Sequence, residues 1–398
     1  NSACLRFALD KNEDKGNVFT IGIRVTLLGF VVFLLFAPII SIIKVNDFNL
    51  GNYIVLIYAF VLVSGFRQLC QQFVRGCGKV TIFAVDGILA TATTLAFNLL
   101  FLGPFHWGVT GYVVAIIASD ACSVLFLFVT CKLWRYVKIK GVTKGVCKEM
   151  LKYSIPMMPS IILWWVINVS DRYMVTYFIG SAANGLYTAA SKIPNFIIMF
   201  SSIFIDAWQL SAVDEYDNDG KGRFFTNVFR VYSGGVFAAA SGLIVFCQLI
   251  TKILVSSSYY DSRQYVPILI ISKTLSCFVN FLASVYMASK KTVMGMVTAF
   301  AGAITNIVLN FILIPKMGPS GAAVATVTAF IVVFITRAID TKKYVNINFS
   351  TPAMVTEVVI LAAQAAVMIF MRSGIVMYAI ELALLAAMLV FNYKPIKE

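Results

Sequence analysis

The sequence predicts an all-α polytopic membrane protein, and three observations predict it. Of its 398 residues 60% are hydrophobic and only 13% charged, with mean hydropathy +0.87; a soluble domain is about 45–50% apolar and about a quarter charged. Apolar runs of about 20 residues recur along the chain, the length at which a helix crosses a hydrocarbon core and too long for strands. The segments between the runs alternate between basic and cation-poor, as loops on two sides of a membrane do.

Apolar windows place twelve spans at 19–43, 51–74, 81–102, 109–131, 153–179, 183–209, 225–254, 265–288, 292–315, 319–338, 352–371 and 373–391. The loops 1–18, 67–80, 132–152, 210–224, 288–292, 337–351 and the tail from Asn392 hold 22 of the 32 Lys and Arg residues. The opposite loops hold four, Lys44, Arg263, Lys316 and Arg372. Because cytoplasmic loops retain Lys and Arg, residues 1–18 and the C-terminus are expected in the cytoplasm. The same bias accounts for the formal charge of +14 without nucleic acid, for which no basic patch with interleaved aromatics is present. The polar linker KLWRYVKIKGVTKGVCKEMLK at 132–152 parts four spans from eight. This gives 1–131 as a first lobe, 153–343 as a second of six helices, and 344–398 as two appended helices with a tail. The polar opening, which starts at Asn1 rather than Met, reads as a loop between spans, so earlier helices are expected to precede it.

Several chemistries lack their residues. The eight cysteines form no CxxC pair and lie in spans or basic loops, so free thiols are expected rather than disulfides or zinc ligands. A single His, His106 in an outer turn, supports neither a zincin motif nor a Ser–His–Asp triad. Residues 180–185, GSAANG, start like a phosphate loop but continue Leu186-Tyr187 instead of Lys-Ser/Thr. The acidic run DEYDNDGKG at 214–222 lacks the ligand spacing of an EF-hand. The longest outer loop, around 256–264, is short for the active site of a glycan polymerase or ligase. No catalytic residue, metal or cofactor is expected, and the chain is read as a non-enzyme.

The conspicuous feature is DRYMVTYFIGSAANGLYTAASKIP at 171–194, two apolar arms that meet at residues 180–185 yet each carry a cation. Charge at mid-bilayer costs roughly 2.5–3.5 kcal/mol per residue even on the insertion scale, so such residues turn toward protein or a wet cavity. Trp165, Asn168, Arg172 and Thr176 recur at three or four residues and share a helix face, as do Thr188, Lys192, Asn195, Met199, Ser202 and Asp206. Arg172 and Lys192 each stand seven residues from the turn, about 10 Å deep at 1.5 Å per residue. Asp171 is placed to neutralise one of them. Pro194 is expected to kink its helix. Either the group clamps the hairpin as an Asp171–Arg172–Lys192 set, or it faces a cavity between two bundles, where transporters bind their substrates. Lys273, Ser276, Asn280 and Ser284 form a second polar stripe, and Thr305, Asn306 and Asn310 add uncharged polarity. Arg24 either snorkels or joins the cavity. The candidate substrate-binding set is therefore Arg172, Lys192, Lys273, Arg24, Asn168, Asn195 and Asn280. Asp86, Asp120 and Asp171 are candidates for ion coupling, with helix–helix hydrogen bonding the alternative for the first two.

Several blocks resemble the polysaccharide flippases of the multidrug/oligosaccharidyl-lipid/polysaccharide (MOP) exporter superfamily, the O-antigen and capsule repeat-unit flippases. LRFALDKNEDKGNVFTIG resembles the loop before that family's third helix. LKYSIPMMPS with DRYMVTYFIGSAANGLYTAASKIPNFIIMFSSIFIDAWQLSAVDEY resembles the hairpin that opens its second lobe. YYDSRQYVPILI and NIVLNFILIPKMGPSGAAVATVTAF resemble later segments. The resemblance implies a MOP/MATE-like two-lobe helical transporter, with about twelve helices here and about fourteen in the complete protein. It implies a flippase that carries an undecaprenyl-pyrophosphate-linked oligosaccharide from the cytoplasmic to the outer leaflet of a bacterial inner (plasma) membrane. Its partners would be that lipid-linked oligosaccharide, membrane lipids, and the polysaccharide polymerase and chain-length machinery. A cation-lined cavity fits the pyrophosphate, which Arg grips with its fork and Lys attracts as a point charge. Drug or cation antiport and lipid II flipping are alternatives within the same superfamily.

Overall fold

A computed structural model describes residues 2–10, 13–38, 44–45, 48–138 and 143–397. The end of the expected span 19–43 and part of the 132–152 linker fall outside the described residues. Two compact units are present, Asn1–Ser154 and Ile155–Glu398. Among the described residues twelve helical segments are long and apolar enough to cross a membrane.

In the first unit α1 (Ser2–Ala8) and α2 (Lys15–Leu34) precede a two-residue antiparallel pairing of Lys44–Val45 with Phe48–Asn49. Then follow α3 (Ile54–Gly76), α4 (Val80–Leu102), α5 (Gly108–Cys131) and α6 (Lys144–Ser154). Asp14 caps α2 by accepting from the Gly16 amide at 2.8 Å, and it pairs with Lys138. That cation, then the amide, holds the Asp14 carboxyl below the usual carboxylate range. The core gathers around Phe19 and Phe73, whose rings lie 4.5 Å apart, with Leu69, Cys70 and Phe7. The described parts of the expected linker, residues 132–138 and 143–152, lie in this unit and pack onto it. Asn17 Nδ2 donates to Thr143 Oγ1 at 3.2 Å, Thr20 Oγ1 accepts from the Lys138 amide at 2.9 Å, and Tyr153 meets Phe7 edge-on. Its basic residues hid the apolar face of α6 that makes this contact.

The second unit comprises α7 (Met157–Phe178), α8 (Ser181–Ala190), α9 (Asn195–Asp214), α10 (Lys221–Val245), α11 (Cys247–Leu254), the 3-10 turn Ser257–Gln264, α12 (Val266–Ala288), α13 (Thr292–Met317), α14 (Pro319–Thr341), α15 (Thr351–Phe370) and α16 (Ile375–Lys397). Helix α12 is the central element: 72% of its apolar window is buried, against 22–50% for the windows of α9, α10 and α13 to α16. Trp208 of α9 stacks on Phe281 of α12 at 4.9 Å and donates Nε1–H to Ser284 Oγ at 2.8 Å. Phe225, Phe229 and Tyr232 of α10 close around the same rings. The last two helices pack against α10, where a Cβ on Gly234 would lie 2.6 Å from Asn392 Oδ1.

Two expected spans are broken. Residues 183–209 divide into α8 and α9 across the turn 191–194, as Pro194 demands by lacking an amide hydrogen. Residues 225–254 divide at Phe246 into α10 and α11. The hairpin turn is also tighter than residues 180–185: helix resumes at Ser181, and the reversal rests on Gly180 at φ +119° and ψ 170°. The final helix runs past the expected tail, to Lys397. All eight cysteines are free thiols, five of them buried.

Small residues let helices touch in lipid, where apolar contact alone gives little drive. A Cβ on Gly302 of α13 would fall 2.3 Å from Val333 Cγ2 of α14, and one on Gly321 would fall 2.4 Å from the Leu313 carbonyl oxygen. Nothing lies within 4 Å of a Cβ on Gly180. Gly180→Ala is therefore expected to cost about 1–3 kcal/mol through backbone strain alone. Gly321→Ala is expected to cost a similar amount through overpacking. Thermal unfolding of the purified protein in detergent measures both, and an unchanged Gly180→Ala protein would refute the backbone account.

Candidate functional site

The site of the second unit begins with consecutive residues that point different ways. Side chains at i and i+1 on an α-helix diverge by about 100°. On α7 this sends Asp171 into the unit and Arg172 toward its surface. Asp171 is 3% exposed. It accepts from Tyr187 Oη of α8 at 2.9 Å, Asn310 Nδ2 of α13 at 2.8 Å and Thr326 Oγ1 of α14 at 2.6 Å. Asn306 Oδ1 accepts from Asn310 Nδ2 at 3.1 Å and from Ser170 Oγ at 3.0 Å, and Asn306 Nδ2 donates to Thr326 at 3.2 Å. Neutral donors thus hold the carboxylate from three other helices.

The expected Asp171–Arg172–Lys192 clamp is therefore not what forms. Arg172 is half-buried and donates to Ser191 Oγ at 3.2 Å, while its Nε has no acceptor. This hydrogen bond crosses the hairpin and sets Arg172 level with the residue beside Lys192. Lys192 is exposed on the break between α8 and α9. From α12, Lys273 Nζ donates to Asn168 Oδ1 at 2.9 Å, one turn before Arg172, and lies within electrostatic reach of Asp171 and Arg172. Arg172 and Lys273 are within electrostatic reach of one another, Lys192 follows Ser191 in sequence, and among the described residues none of the three is in an ion pair. Asn168, Asn195, Met199 and Ser202 are exposed beside them. The α12 stripe divides: Asn280 is exposed, but Ser284 turns inward to Trp208.

In the first unit a separate polar cluster joins α3, α4 and α5. Asp120 of α5 pairs with Arg67 of α3 at 2.6 Å and accepts from Ser64. Asp86 of α4 is fully buried; it accepts from Gln71 Nε2 at 2.6 Å and from Ser123. Arg67 Nε donates to Ser123 Oγ at 3.2 Å, which joins the two acids through one hydroxyl. Both acids are thus satisfied, Asp120 by a cation and Asp86 by neutral donors. Arg24 is exposed on α2.

Sequence reasoning did not single out two arginines that fall where a span overlaps a basic loop. Arg67 lies inside α3, and Ser64, Arg67 and Gln71 at helical spacing were the available signal. Arg337 is buried inside α14, where it donates to the Val279 carbonyl at 2.8 Å and Thr298 Oγ1 at 3.1 Å, with Trp164 and Tyr286 against its plane. An arginine one residue inside a predicted span end reads as a snorkelling residue, so its burial gave no signal.

The arrangement of helices has known counterparts. An outward-facing multidrug resistance MATE family transporter of the MOP superfamily superposes with TM-score 0.72 at 15% identity, over 86% of this chain and 82% of that one. A single-substitution variant of the Vibrio cholerae MATE transporter VcmN gives TM-score 0.72 at 14% identity, over 86% and 83%. A MOP superfamily transporter from Pyrococcus furiosus, described as having a binding pocket of reverse polarity that suggests a different function, gives 0.69 at 14%, over 86% and 82%. No curated protein matches the sequence. The fold is that of MOP-superfamily transporters, in a multi-pass membrane protein. Within that class the chain belongs to the polysaccharide biosynthesis protein family, whose profile matches residues 5–208.

Breaking a buried ion pair from one side strands the other charge. Arg67→Gln is expected to destabilise the protein by about 3 kcal/mol, and Arg67→Gln with Asp120→Asn to recover much of that loss. A double-mutant cycle by thermal unfolding checks this, and additive effects would reject the coupling.

Proposed function

We propose that the protein is a flippase that moves an undecaprenyl-pyrophosphate-linked oligosaccharide from the cytoplasmic to the outer leaflet by alternating access, for cell-surface polysaccharide assembly. One observation supports this reading: among the described residues no carboxylate is paired to Arg172, to Lys192 next in sequence to its partner Ser191, or to Lys273 bonded at Asn168 one turn away. Three unpaired cations repel one another in a low-dielectric setting, and a polyanionic head group relieves that cost. The pyrophosphate supplies the charge, with Arg172 as the fork and the two lysines as point charges. Asn168, Asn195 and Asn280 offer amides to sugar hydroxyls. The family's role in polysaccharide biosynthesis supports the same substrate class. In this reading the partners are the lipid-linked oligosaccharide and, downstream, the polymerase and chain-length machinery, and the membrane is the bacterial inner membrane.

The buried carboxylates support ion coupling as a second component. Asp171 joins the cation side to α13 and α14, so a change in its protonation or partners would be felt at Arg172. Asp86 and Asp120 are the corresponding acids in the first unit. They also carry the rival reading, multidrug or cation antiport, since MATE transporters share the fold; a lipid II flippase differs only in the head group carried. For the Pyrococcus furiosus relative, reversed pocket polarity was taken to suggest a different function, and charge sign is likewise the feature that separates the readings here.

Arg172→Ala, Lys192→Ala and Lys273→Ala are each expected to reduce surface polysaccharide and to make the lipid-linked precursor accumulate on the cytoplasmic side, at unchanged protein level. Normal export in all three and in the triple variant would sink the substrate role. If Asp86→Asn and Asp120→Asn instead abolish drug resistance conferred by the protein while export is untouched, antiport is the function.

A further inference from the structure

One cavity of the second unit is lined by none of Arg172, Lys192 and Lys273. It encloses about 650 Å³, lined by Gln248 of α11, Asp261, Arg263 and Gln264 of the 3-10 turn, Met368 of α15, and Arg372 and Ser373 of the α15–α16 turn, among others. Leu186 of α8 also lines it, which sets it toward the Gly180 end of the unit. Only four cations occur in the loops of this side, and two of them, Arg263 and Arg372, converge here.

The polar groups are arranged without being satisfied. Arg263 Nη1 donates to Tyr260 Oη at 3.2 Å and its plane covers that ring at 4.7 Å, which fixes the guanidinium while leaving its other N–H groups without a protein acceptor among the described residues. The Arg372 guanidinium likewise has no acceptor among the described residues. Gln248 is 8% exposed; its Oε1 accepts from Ser373 Oγ at 2.9 Å and Tyr378 Oη at 3.4 Å. These bonds fix the amide, yet its Nε2 meets only the thioethers of Met368 at 3.6 Å and Met377 at 3.9 Å, which are weak acceptors. A buried amide donor with only sulfur beside it lacks most of its hydrogen-bond energy. Asp261 and Gln264 add acceptors suited to hydroxyl groups.

We propose that this cavity binds a phosphate ester that carries free hydroxyls. The two guanidiniums take the phosphate, Gln248 Nε2 donates to an ester or hydroxyl oxygen, and Asp261 and Gln264 accept from the hydroxyls. Pockets of about 300–1,000 Å³ hold small ligands, so the volume suits one or two sugar rings or a glycerophosphate head group. Two sources supply this chemistry, a phosphosugar and an anionic phospholipid. The site goes beyond the transport reading and does not depend on it, because binding is read without any export.

The test uses the full chain in nanodiscs of phosphatidylcholine. Binding of radiolabelled N-acetylglucosamine 1-phosphate is followed by equilibrium dialysis, and the same measurement is made with phosphatidylglycerol in the disc. Retention of phosphatidylglycerol is read by native mass spectrometry. Saturable sugar-phosphate binding that persists in phosphatidylglycerol discs assigns the site to a phosphosugar. Loss of that binding, or retained phosphatidylglycerol alone, assigns it to the lipid head group. In either case Arg263→Gln and Arg372→Gln are expected to weaken binding about tenfold or more. Gln248→Glu, which preserves size but repels phosphate, should do the same and serves if an arginine variant fails to fold by gel filtration. Lys316→Gln is expected to bind as the wild type does. Absence of both ligands from the wild-type protein, or binding that these variants leave unchanged, overturns the proposal.

Discussion

The second unit depends on the satisfaction of one carboxylate. In hydrocarbon an unpaired charge costs more than most packing errors, so Asp171 dictates where α8, α13 and α14 can sit relative to α7. Each contributes one neutral donor, Tyr187, Asn310 and Thr326. All three donors are neutral, so none of them is a counter-ion to Asp171. The cation beside it in sequence is left for something else. A lone Arg172–Asp171 pair would have consumed both charges in holding the hairpin.

The two units solve the same problem by opposite means. In the first, Arg67 neutralises Asp120 and no cation is left over at that cluster. In the second, hydroxyls and an amide take the acid, and Arg172 and Lys273 have no ion-pair partner among the described residues.

Much of this was legible in the sequence. Span positions followed from hydropathy, and the Pro194 break followed from the missing amide hydrogen. Helical spacing grouped Asn168 and Arg172 on α7 and Lys192 and Asn195 on the α8–α9 arm; Asn168, Lys192 and Asn195 are exposed and Arg172 is half-buried. What spacing cannot give is direction between neighbours in sequence. Asp171 and Arg172 invite a pairing on paper, but a turn of about 100° separates them, and the true partners of Asp171 come from helices far along the chain. Asn306 and Asn310 were visible as polarity without a purpose. Arg67 and Arg337 were passed over for a different reason: each falls where a span overlaps a basic loop, and a loop cation is expected to meet water rather than the hydroxyl, carboxylate and carbonyl partners found here. The single-residue reversal at Gly180 was hidden inside a run of six small residues that holds a second glycine, Gly185.

The reach of the Asp171 network also has a consequence in time. Tyr187 follows Asp171 by 16 residues, but Asn310 and Thr326 follow it by 139 and 155. At about 5–20 residues per second, the ribosome needs roughly 10–30 s after Asp171 to deliver Thr326. Through that interval the nascent hairpin holds a carboxylate that, of the three donors to it, has only the nearby tyrosine. The Asp171 contacts therefore complete in the order Tyr187, Asn310, Thr326, and the set closes only when α14 is made.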